Sequence, residues 1–392
     1  MRIALVVPEF PPHTIGGGGV VFERLADGLS SRHDVQVFSA CDPVRSWTAA
    51  RAVDSAWSER YLVRRYPLVP IFGPKTAFRS VLPLNPVAAG ALFLDLGKWR
   101  PDVAHLHGIG YAVVDLAARY LRIRKVPYVL SDHGVPTSVR SARAPVRAAY
   151  WLYTSSILRG TVRGARQVTA VSSAEGEELQ RLCGVRPAIV PNGASVMPRD
   201  DGEVVRRLGL LRSSERRYKL VVAAGRLTES KGFDVLIEAM RELGEEIQCV
   251  IAGQGCQGAH EKALRAKAPA NVAFVGELSR SELGSLLSLA DVLAVPSRHE
   301  PFGLVALEAI ASGTRVVASA VGGLPEFLCP PLARLVAPDD PEALAVAIAD
   351  STALGPFDSE ERRLASELMA RHSWGVICSR YEALLSEVVD DP

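Results

Sequence analysis

The feature that most constrains the fold is an alternation of short apolar runs with segments whose apolar residues recur at helical spacing. Such runs are typical of strands that are buried on both faces of a parallel sheet. In the first half of the chain they lie at 3–7, 35–39, 103–106, 128–131, 167–171 and 188–190. Strands that alternate with helices predict an open parallel sheet with helices on both faces.

The alternation starts again after a charged, apolar-poor stretch at 198–217. A second set of strands is expected at 220–224, 247–252, 272–275, 292–295, 315–318 and 333–336, followed by a helical tail over 359–389. The 392 residues exceed what one hydrophobic core usually organises. The sequence therefore predicts an α/β protein with two doubly wound domains, over 1–197 and from 198 onward. Ligands bind at the carboxyl ends of such sheets, so a cleft between facing domains is the expected active site.

Charge is divided unevenly between the two halves of the chain. Residues 1–190 contain 24 basic and 14 acidic residues, a net charge of +10, whereas residues 191–392 contain 21 and 29, a net charge of −8. The total of +2 argues against a general nucleic-acid binder. Two basic stretches contain no Asp or Glu, from Arg60 to Leu94 and from His133 to Ala174. They fit a solvated surface or an anion-binding face, and both interpretations stay open.

Cysteine content and hydropathy predict the compartment. The six cysteines include no C-x-x-C pair, which excludes a zinc ribbon or a thioredoxin-like motif at that spacing. Their small number suits a reducing compartment. No apolar run approaches the roughly 20 residues that a membrane helix needs. We therefore expect a cytoplasmic protein.

Two loops that follow predicted strands are suited to bind an anion. Gly16 to Gly19 follow the first strand and open a helix, whose N-terminal N–H groups are free to bind a negative charge. Arg226 and Lys231 lie in the loop after the first strand of the second domain. Two cations beside a helix N-terminus suit a diphosphate and would stabilise it as a leaving group.

Two glutamates follow the fourth strand of the second set. Glu300 lies in the loop, and Glu308 lies among apolar residues of the next helix, which argues against a solvated surface position. A carboxylate suits sugar hydroxyls because it accepts two hydrogen bonds. The backbone N–H groups of Phe302, Gly303 and Leu304 open that helix and can face a phosphate.

Three histidines follow or end strands of the first domain. His105 and His107 resemble a metal-binding pair, but two residues do not make a metal site. We favour His133 as the functional histidine, because it lies at the carboxyl end of a strand and should face the cleft.

One motif predicts a different enzyme. Gly253, Gly255 and Gly258 form a G-x-G-x-x-G pattern after the strand at 247–252, and Glu277 follows the next strand, as in a dinucleotide site. The pattern alone would support an NAD-dependent dehydrogenase. That fingerprint normally opens the first strand–helix unit of its domain, however, and here it opens the second.

Taken together, these residues resemble the retaining glycosyltransferases of family 4, which have the GT-B fold of two facing Rossmann-like domains. The matching strings lie in the family's order over nearly the whole chain: Pro11-Pro12 with Gly16–Gly19, Val171–Ser173, Pro191–Gly193, Gly225-Arg226 with Lys231-Gly232, Ala252–Gly255, Glu300 with Glu308, Ser312–Thr314, Gly322–Glu326 and Ser373-Trp374. The match is more specific in the second domain than in the first.

The resemblance implies how the second domain would hold a nucleotide-sugar donor. Arg226 and Lys231 would bind the diphosphate, and Glu308 would hold the ribose. Glu300 would hold the donor sugar together with the backbone of Phe302 to Leu304, including Gly303. Gly253 and Gly255 would then belong to this nucleotide-binding domain rather than to an NAD site.

The resemblance also implies roles for the first domain and the tail. Gly17 and Gly18 would lie against the diphosphate and the sugar. His133 would lie beside the donor sugar near its anomeric carbon, and we class it with Arg226 and Lys231 as catalytic. The helix over 376–392 would cross back from the second domain, which ends at 375, to the first.

The implied reaction is transfer of a hexosyl group from a UDP- or GDP-linked sugar to a hydroxyl, with retention of the anomeric configuration. The chain contains no Asp-x-Asp sequence, so we expect a metal-independent enzyme whose only co-substrate is the nucleotide sugar. A nucleotide-sugar epimerase and an NAD-dependent dehydrogenase are the alternatives.

The acceptor stays open at this point. A small molecule, a glycan or a lipid-linked acceptor would each fit a first domain with two basic stretches. The same stretches, with the aromatic residues Tyr150, Trp151 and Tyr153 between arginines, also fit peripheral contact with an anionic inner membrane surface. A plain core segment explains these aromatic residues equally well.

Overall fold

A computed structural model describes residues 1–12, 17–41, 52–54, 59–68, 86–134, 157–208, 218–253, 255 and 258–390. The chain forms two compact units, Met1–Asn192 with Trp374–Pro392, and Gly193–Ser373. These divisions lie close to the predicted boundaries at 197 and 375. Gly16, residues 69–85 and residues 135–156, which carry several of the arginines and aromatic residues discussed above, lie outside the described residues.

The first unit is built on a sheet with the strand order β3-β4-β2-β1-β5-β6-β7-β8. Its strands are β1 (Arg2–Val7), β2 (Asp34–Cys41), β3 (Ala52–Asp54), β4 (Leu62–Pro67), β5 (Val103–His107), β6 (Tyr128–Asp132), β7 (Gln167–Ala170) and β8 (Ala188–Ile189). All pairs are parallel except β3 with β4. The order reverses direction between β1 and β5, which is where such sheets bind ligands.

Helices connect these strands. They are α1 (Gly18–Ser30), α2 (Pro86–Trp99), α3 (Ala112–Ile123), α4 (Arg159–Arg163) and α5 (Ser173–Cys183). In α1 the buried residues Val21, Phe22, Leu25 and Leu29 recur at helical spacing, so one face of the helix packs on the sheet.

Strands β3 and β4 were not predicted. Two consecutive arginines, Arg64 and Arg65, interrupt the apolar pattern of β4. Arg65 is nevertheless buried, because its guanidinium donates to the carbonyl oxygens of Phe10 at 2.9 Å and Pro11 at 2.5 Å. Arg64 lies 3.8 Å from a carboxylate oxygen of Asp95. Part of the first basic stretch is therefore structural.

The second unit is built on a parallel sheet with the order β11-β10-β9-β12-β13-β14. Its strands are β9 (Lys219–Ala224), β10 (Ile247–Ala252), β11 (Val272–Gly276), β12 (Val292–Val295), β13 (Arg315–Ser319) and β14 (Ala333–Val336). Chain order reverses between β9 and β12. This switch point leaves a crevice at the carboxyl ends of these two strands.

The helices of the second unit are α6 (Asp201–Leu208), α7 (Phe233–Glu242), α8 (Ala259–Lys267), α9 (Arg280–Leu289), α10 (Leu304–Ala311), α11 (Pro341–Ala353) and α12 (Ser359–Arg371). The sequence analysis did not predict α6 and α11. Helix α6 lies within the apolar-poor stretch that was expected to join the domains. Helix α11 begins at an N-cap, since Asp340 accepts from the backbone N–H of Ala343 at 2.9 Å.

The tail was predicted to be helical over 359–389, with a last helix over 376–392 that crosses back to the first domain. Helix α12 ends at Arg371, and a separate helix α13 (Trp374–Asp390) follows. Helix α13 belongs to the first unit, where it packs against α1, β5 and β6 and buries Ile377, Tyr381 and Leu385. Within the described part of the chain, no helix is both long and apolar enough to cross a membrane.

Candidate active site

The candidate site of the second unit lies on two loops at the switch point. One follows β9 and carries Arg226 and Lys231, and the other follows β12 and carries Glu300. Because β9 and β12 are neighbours in the sheet, both loops leave the same edge side by side. The predicted donor-binding residues Arg226, Lys231 and Glu300 therefore lie around one crevice of the second unit.

Close backbone packing holds the two loops together. Gly232 has a φ of +62°, and a Cβ at this position would lie 2.0 Å from the carbonyl oxygen of Pro296. The backbone N–H of Arg298 donates to the carbonyl oxygen of Ser230 at 2.9 Å. The guanidinium of Arg298 donates to both carboxylate oxygens of Asp234, at 2.9 Å and 2.7 Å. This fork fixes the β12 loop against the start of α7.

Lys231 and Glu300 form an ion pair across this junction. Nζ of Lys231 donates to Oε2 of Glu300 at 2.5 Å, and the hydroxyl of Ser297 donates to the same oxygen at 3.2 Å. The two side chains are 20% and 10% exposed, respectively. A partly exposed cation and carboxylate in contact can each bind a polar ligand group while remaining charged. Arg226, by contrast, is exposed.

Helix α10 presents its N-terminus at the same loop. Gly303 is the N-cap residue, with a φ of +101°, and a Cβ there would lie 2.4 Å from Cδ2 of Leu324. The first N–H groups of a helix lack an intrahelical acceptor, so those at Leu304 and its neighbours can bind an anion. Phe302 is buried against Phe327, with ring centroids 5.1 Å apart, which anchors the loop.

Glu308 projects from the first turns of α10 into a buried position. Its side chain is 8% exposed, and Oε1 accepts from Nη2 of Arg280 at 2.8 Å. Burial raises the pKa of Glu308, and the guanidinium of Arg280 opposes that rise. The prediction that Glu308 is not a solvated surface residue agrees with this burial. Arg280, at the start of α9, was not singled out, and no motif in the sequence marks it.

The glycines of the G-x-G-x-x-G pattern serve loop packing. The N–H of Gly253 donates to the carbonyl oxygen of Gly276 at 2.7 Å, and a Cβ on Gly253 would lie 1.9 Å from the carbonyl oxygen of Gly225. The pattern follows β10, which does not border the switch point. This placement argues against a dinucleotide fingerprint.

The first unit brings its histidines together at the ends of β5 and β6. This histidine cluster consists of His105, His107 and His133. Nδ1 of His107 lies 2.8 Å from Nε2 of His133, and Nε2 of His105 lies 2.8 Å from the hydroxyl of Ser131. His105 and His107 are fully buried, whereas His133 is partly exposed.

Aromatic rings surround the histidine cluster. The ring of Phe22 lies 5.1 Å from that of His107 and 5.4 Å from that of His133, and the ring of Tyr381 lies 4.6 Å from that of His105. Burial among these rings lowers the pKa of His105 to about 3 and that of His133 to about 4, and it holds the pKa of His107 well below its usual range. All three histidines are therefore neutral at pH 7.

A buried carboxyl group, Asp132, precedes His133. Burial raises its pKa to about 8, and the nearby carboxylate of Glu175 adds to the rise, while backbone N–H groups oppose it. The N–H of Gly134 donates to Oδ1 of Asp132 at 3.3 Å. Gly17 and Gly18 lie at the N-terminus of α1, the helix that also carries Phe22. In the described part of the chain, no group of three His, Cys, Asp or Glu side chains is placed to hold a metal ion.

Comparison with known proteins identifies the family. Residues 212–364 match the model of glycosyl transferases group 1, and residues 15–196 match that of glycosyltransferase family 4. The first of these matches lies in the second predicted domain, and the second lies in the first predicted domain. The chain belongs to the group 1, family 4 glycosyltransferases.

Individual relatives agree with this assignment. The chain is 29% identical over 343 residues to glycogen synthase of Mycobacterium tuberculosis strain H37Rv, covering 83% of this chain and 80% of that protein. Sucrose-phosphate synthase from Thermosynechococcus elongatus matches all of both chains with a TM-score of 0.77 and 22% identity. Anabaena HepE, solved with UDP and glucose, matches 98% of this chain and 99% of its own with a TM-score of 0.72 and 20% identity.

These comparisons confirm the predicted GT-B fold class and the prediction of a glycosyltransferase. They favour neither the dehydrogenase nor the epimerase.

Proposed function

We propose that this glycosyltransferase moves a hexosyl group from a UDP- or GDP-linked sugar to a hydroxyl acceptor, with retention of the anomeric configuration. The observation that carries the proposal is the Lys231–Glu300 pair at the switch point of the second sheet, beside the N-terminus of α10. A cation, a carboxylate and free helix N–H groups in one crevice match the diphosphate and the sugar hydroxyls of such a donor. The UDP and glucose in the HepE structure support the same donor class.

In the proposed donor complex, Lys231 and Arg226 bind the diphosphate, and the N–H groups of Phe302, Gly303 and Leu304 add to its binding. Glu300 accepts from the sugar hydroxyls. Glu308 accepts from the ribose hydroxyls through the oxygen that Arg280 does not occupy. Gly17 and Gly18 allow close approach of backbone to the donor, and His133 lies beside the sugar.

The chemical step then needs charge stabilisation more than proton transfer by a side chain. The bond from the anomeric carbon to the diphosphate breaks, and the diphosphate keeps the electron pair. The acceptor oxygen bonds to the same face of the anomeric carbon, and its proton passes to an oxygen of the leaving diphosphate. Lys231 and Arg226 lower the energy of the charge that develops on the leaving group. We propose that this electrostatic stabilisation replaces a metal ion.

A donor screen tests the proposal. UDP-glucose, UDP-N-acetylglucosamine, GDP-mannose and ADP-glucose are each incubated with the protein, and slow hydrolysis to free sugar is followed by proton NMR. We expect one UDP or GDP sugar to be hydrolysed, with the α-anomer appearing first. Release of the β-anomer first would contradict retention, and formation of an epimeric nucleotide sugar or binding of NADH would favour the alternatives.

We propose that the acceptor is a hydroxyl compound, which can be a small molecule, a glycan or a lipid-linked molecule. The enzyme would act in the cytoplasm, with or without contact to an anionic inner membrane surface. Arg159, Arg163 and Arg166 are exposed and fit such contact, whereas the buried Arg65 does not. Co-sedimentation with vesicles that contain 0 or roughly one-third anionic lipid tests the membrane contact, since electrostatic binding depends on that lipid. Equal recovery with both vesicle types would exclude it.

A further inference from the structure

We propose that the amino-end edge of the first sheet carries a docking surface for an anionic membrane. The surface, which we call the basic rim, consists of the cations in the last turns of α2, α3 and α4 and just beyond them: Lys98, Arg100, Arg122, Arg124, Lys125, Arg163 and Arg166. The inference rests on the membrane contact in the proposed function, and it names the residues that would make that contact.

The topology brings these cations to one edge of the sheet. Helix α2 ends just before β5, α3 just before β6 and α4 just before β7, so the three C-termini lie at the amino ends of neighbouring strands. The three strand–helix–strand connections run in the same direction along the sheet, and right-handed crossovers place their helices on one face. The guanidinium of Arg122 donates to the carbonyl oxygen of Gly160 at 3.2 Å, which joins the end of α3 to α4.

The charge on these elements is positive at the surface. In the described ranges 86–134 and 157–167, all nine Lys and Arg residues are exposed. Of the four aspartates in the same ranges, three are buried, and the fourth, Asp102, lies 3.4 Å from the guanidinium of Arg2. The basic rim therefore presents positive charge that the acidic residues of its own helices do not neutralise. Such a surface attracts anionic lipid headgroups.

Two cations of the basic rim have backbone conformations that favour glycine. Arg100 and Lys125 follow the ends of α2 and α3 with φ values of +51° and +56°, and in the described part of the chain only one other non-glycine residue, Asp339, has a positive φ. After α5 the equivalent position is Gly184, with a φ of +72°. Because a side chain is strained in this conformation, the helix ends by themselves would favour glycine at both positions. A function of the two charges accounts for Arg and Lys there.

Exposed apolar side chains beside the basic rim favour a membrane over other anionic partners. Ile123 and Leu94 are 72% and 65% exposed. Phe93, next to Leu94, and Tyr120, one turn before Ile123, stack with ring centroids 5.4 Å apart, so both exposed side chains lie near one contact between α2 and α3. Aliphatic side chains among cations can insert into a bilayer while the charges bind headgroups, whereas a nucleic acid would leave them in water.

The basic rim and the histidine cluster lie at opposite edges of the first sheet, because β5 and β6 begin at the rim and end at the cluster. Membrane contact at the rim would hold the first unit while leaving the carboxyl ends of its strands open to solvent. We therefore expect the rim to determine where the protein is located and not the rate of transfer to a soluble acceptor.

The first test removes the two strained cations together. Full-length protein is sedimented with phosphatidylcholine vesicles that contain either no phosphatidylglycerol or about one-third of it. We expect the double variant Arg100→Gly with Lys125→Gly to bind the anionic vesicles about 10- to 30-fold more weakly than the wild type. Its melting temperature should be equal or higher, because glycine relieves the backbone strain. The control, Lys262→Ala with Lys267→Ala, removes two exposed charges from the second unit and should bind like the wild type.

The outcomes separate this proposal from the proposed function. Wild-type binding by the double variant would overturn the basic rim as the docking surface and leave the membrane contact standing. A melting temperature that falls together with binding would show that the two cations stabilise the helix C-termini, which also overturns the proposal. If the wild type binds neither kind of vesicle, the membrane contact and this proposal both fail, while donor hydrolysis in solution still decides the transferase activity.

The second test measures insertion of an apolar side chain. Ile123→Ser should weaken binding to the anionic vesicles by about 10-fold. The matched control Val346→Ser replaces a residue of α11 that is 63% exposed, and it should bind like the wild type. Equal effects of the two substitutions would contradict a membrane as the partner. Tighter binding to a mixed-sequence DNA duplex than to the anionic vesicles, unchanged in Ile123→Ser, would identify a nucleic acid instead and overturn the proposal.

Discussion

The two units place polar side chains at equivalent ends of similar sheets, but they treat charge in opposite ways. In the histidine cluster three titratable rings are packed against one another and against Phe22 and Tyr381, and burial keeps them neutral. In the second unit Lys231 faces Glu300 and Arg280 faces Glu308, so each of these four charges has a counter-charge. Burial among apolar neighbours favours the neutral form of a titratable group, whereas burial beside an opposite charge favours its charged form.

The difference indicates how each region can act. A neutral cluster can act through the direction of its hydrogen bonds, and a paired cluster can act through electrostatic attraction to a ligand. Glu308 combines both effects, since burial raises its pKa and Arg280 opposes the rise. The predictions below test this contrast.

The largest effect is expected at Lys231. Removing its charge in Lys231→Ala takes away stabilisation of the leaving group and leaves Glu300 without its counter-charge. We expect transfer to fall by about 100- to 1,000-fold. Initial rates and calorimetric donor affinity check this, with the exposed Lys262→Ala as the control and thermal melting to verify folding. Donor affinity equal to that of the wild type would refute the assigned role.

A smaller effect is expected at Glu308. Glu308→Ala should weaken donor binding by about 10- to 100-fold, since the ribose loses a charged acceptor. In Arg280→Ala the pKa of Glu308 should rise further, so that donor binding becomes weaker at pH 6 than at pH 8 as the carboxylate is protonated. Calorimetry at both pH values measures this. A pH-independent affinity in Arg280→Ala would show that Glu308 does not contact the donor.

Beside the histidine cluster, the buried carboxyl group of Asp132 should make the folded protein less stable as the pH rises. Its pKa is about 8 in the folded state and 3.8 without the fold, so between these values the native state holds a proton that the unfolded state lacks. The free energy of unfolding should decrease by about 2 kcal/mol between pH 6 and pH 8 relative to Asp132→Asn. Urea unfolding of both proteins at pH 6, 7 and 8 measures the difference. Parallel pH profiles would exclude a protonated Asp132.

The lowered pKa values of the histidines change the stability with pH in the opposite direction. Their folded pKa values lie below 6.5, so the unfolded state binds more protons below that pH and stability is lost on acidification. The comparison with Asp132→Asn cancels this contribution because both proteins contain the cluster.

The smallest effect is expected from metal removal. If paired side-chain charges stabilise the leaving group, excess chelator should leave the rate of transfer unchanged within error. Loss of activity in chelator together with rescue by magnesium would show that Lys231 and Arg226 do not stabilise the leaving group without a metal ion.

Much of the fold could be predicted because buried parallel strands have a strong sequence pattern. Strands β10, β12 and β14 were predicted at their observed bounds, and the ends of the other predicted strands lie within two residues of the observed ones. Strand β4 was missed because Arg64 and Arg65 interrupt its apolar pattern. In the folded chain the guanidinium of Arg65 is buried and donates to the carbonyl oxygens of Phe10 and Pro11. Helices α12 and α13 together lie within one residue of the stretch 359–389 that was predicted to be helical.

The candidate site could be predicted less completely. Lys231, Glu300 and Glu308 were singled out from their places after strands, but the pairing of Lys231 with Glu300 was not predicted, and Arg280, the partner of Glu308, was not singled out. Arg280 is 28 positions from Glu308 along the chain, and Lys231 is 69 from Glu300. No local pattern connects residues so far apart.

By itself the sequence determined the fold class, the two sheets, the strand ends that carry the polar residues and, through its motifs, the enzyme family. These properties follow from local periodicity and from loops whose residues are close in the chain. Only the tertiary structure decided which charges are paired and which titratable groups are neutral. The ionisation state of a buried group depends on the side chains that strand order brings beside it, and for His107 and His133 that neighbour is 26 residues away in the sequence.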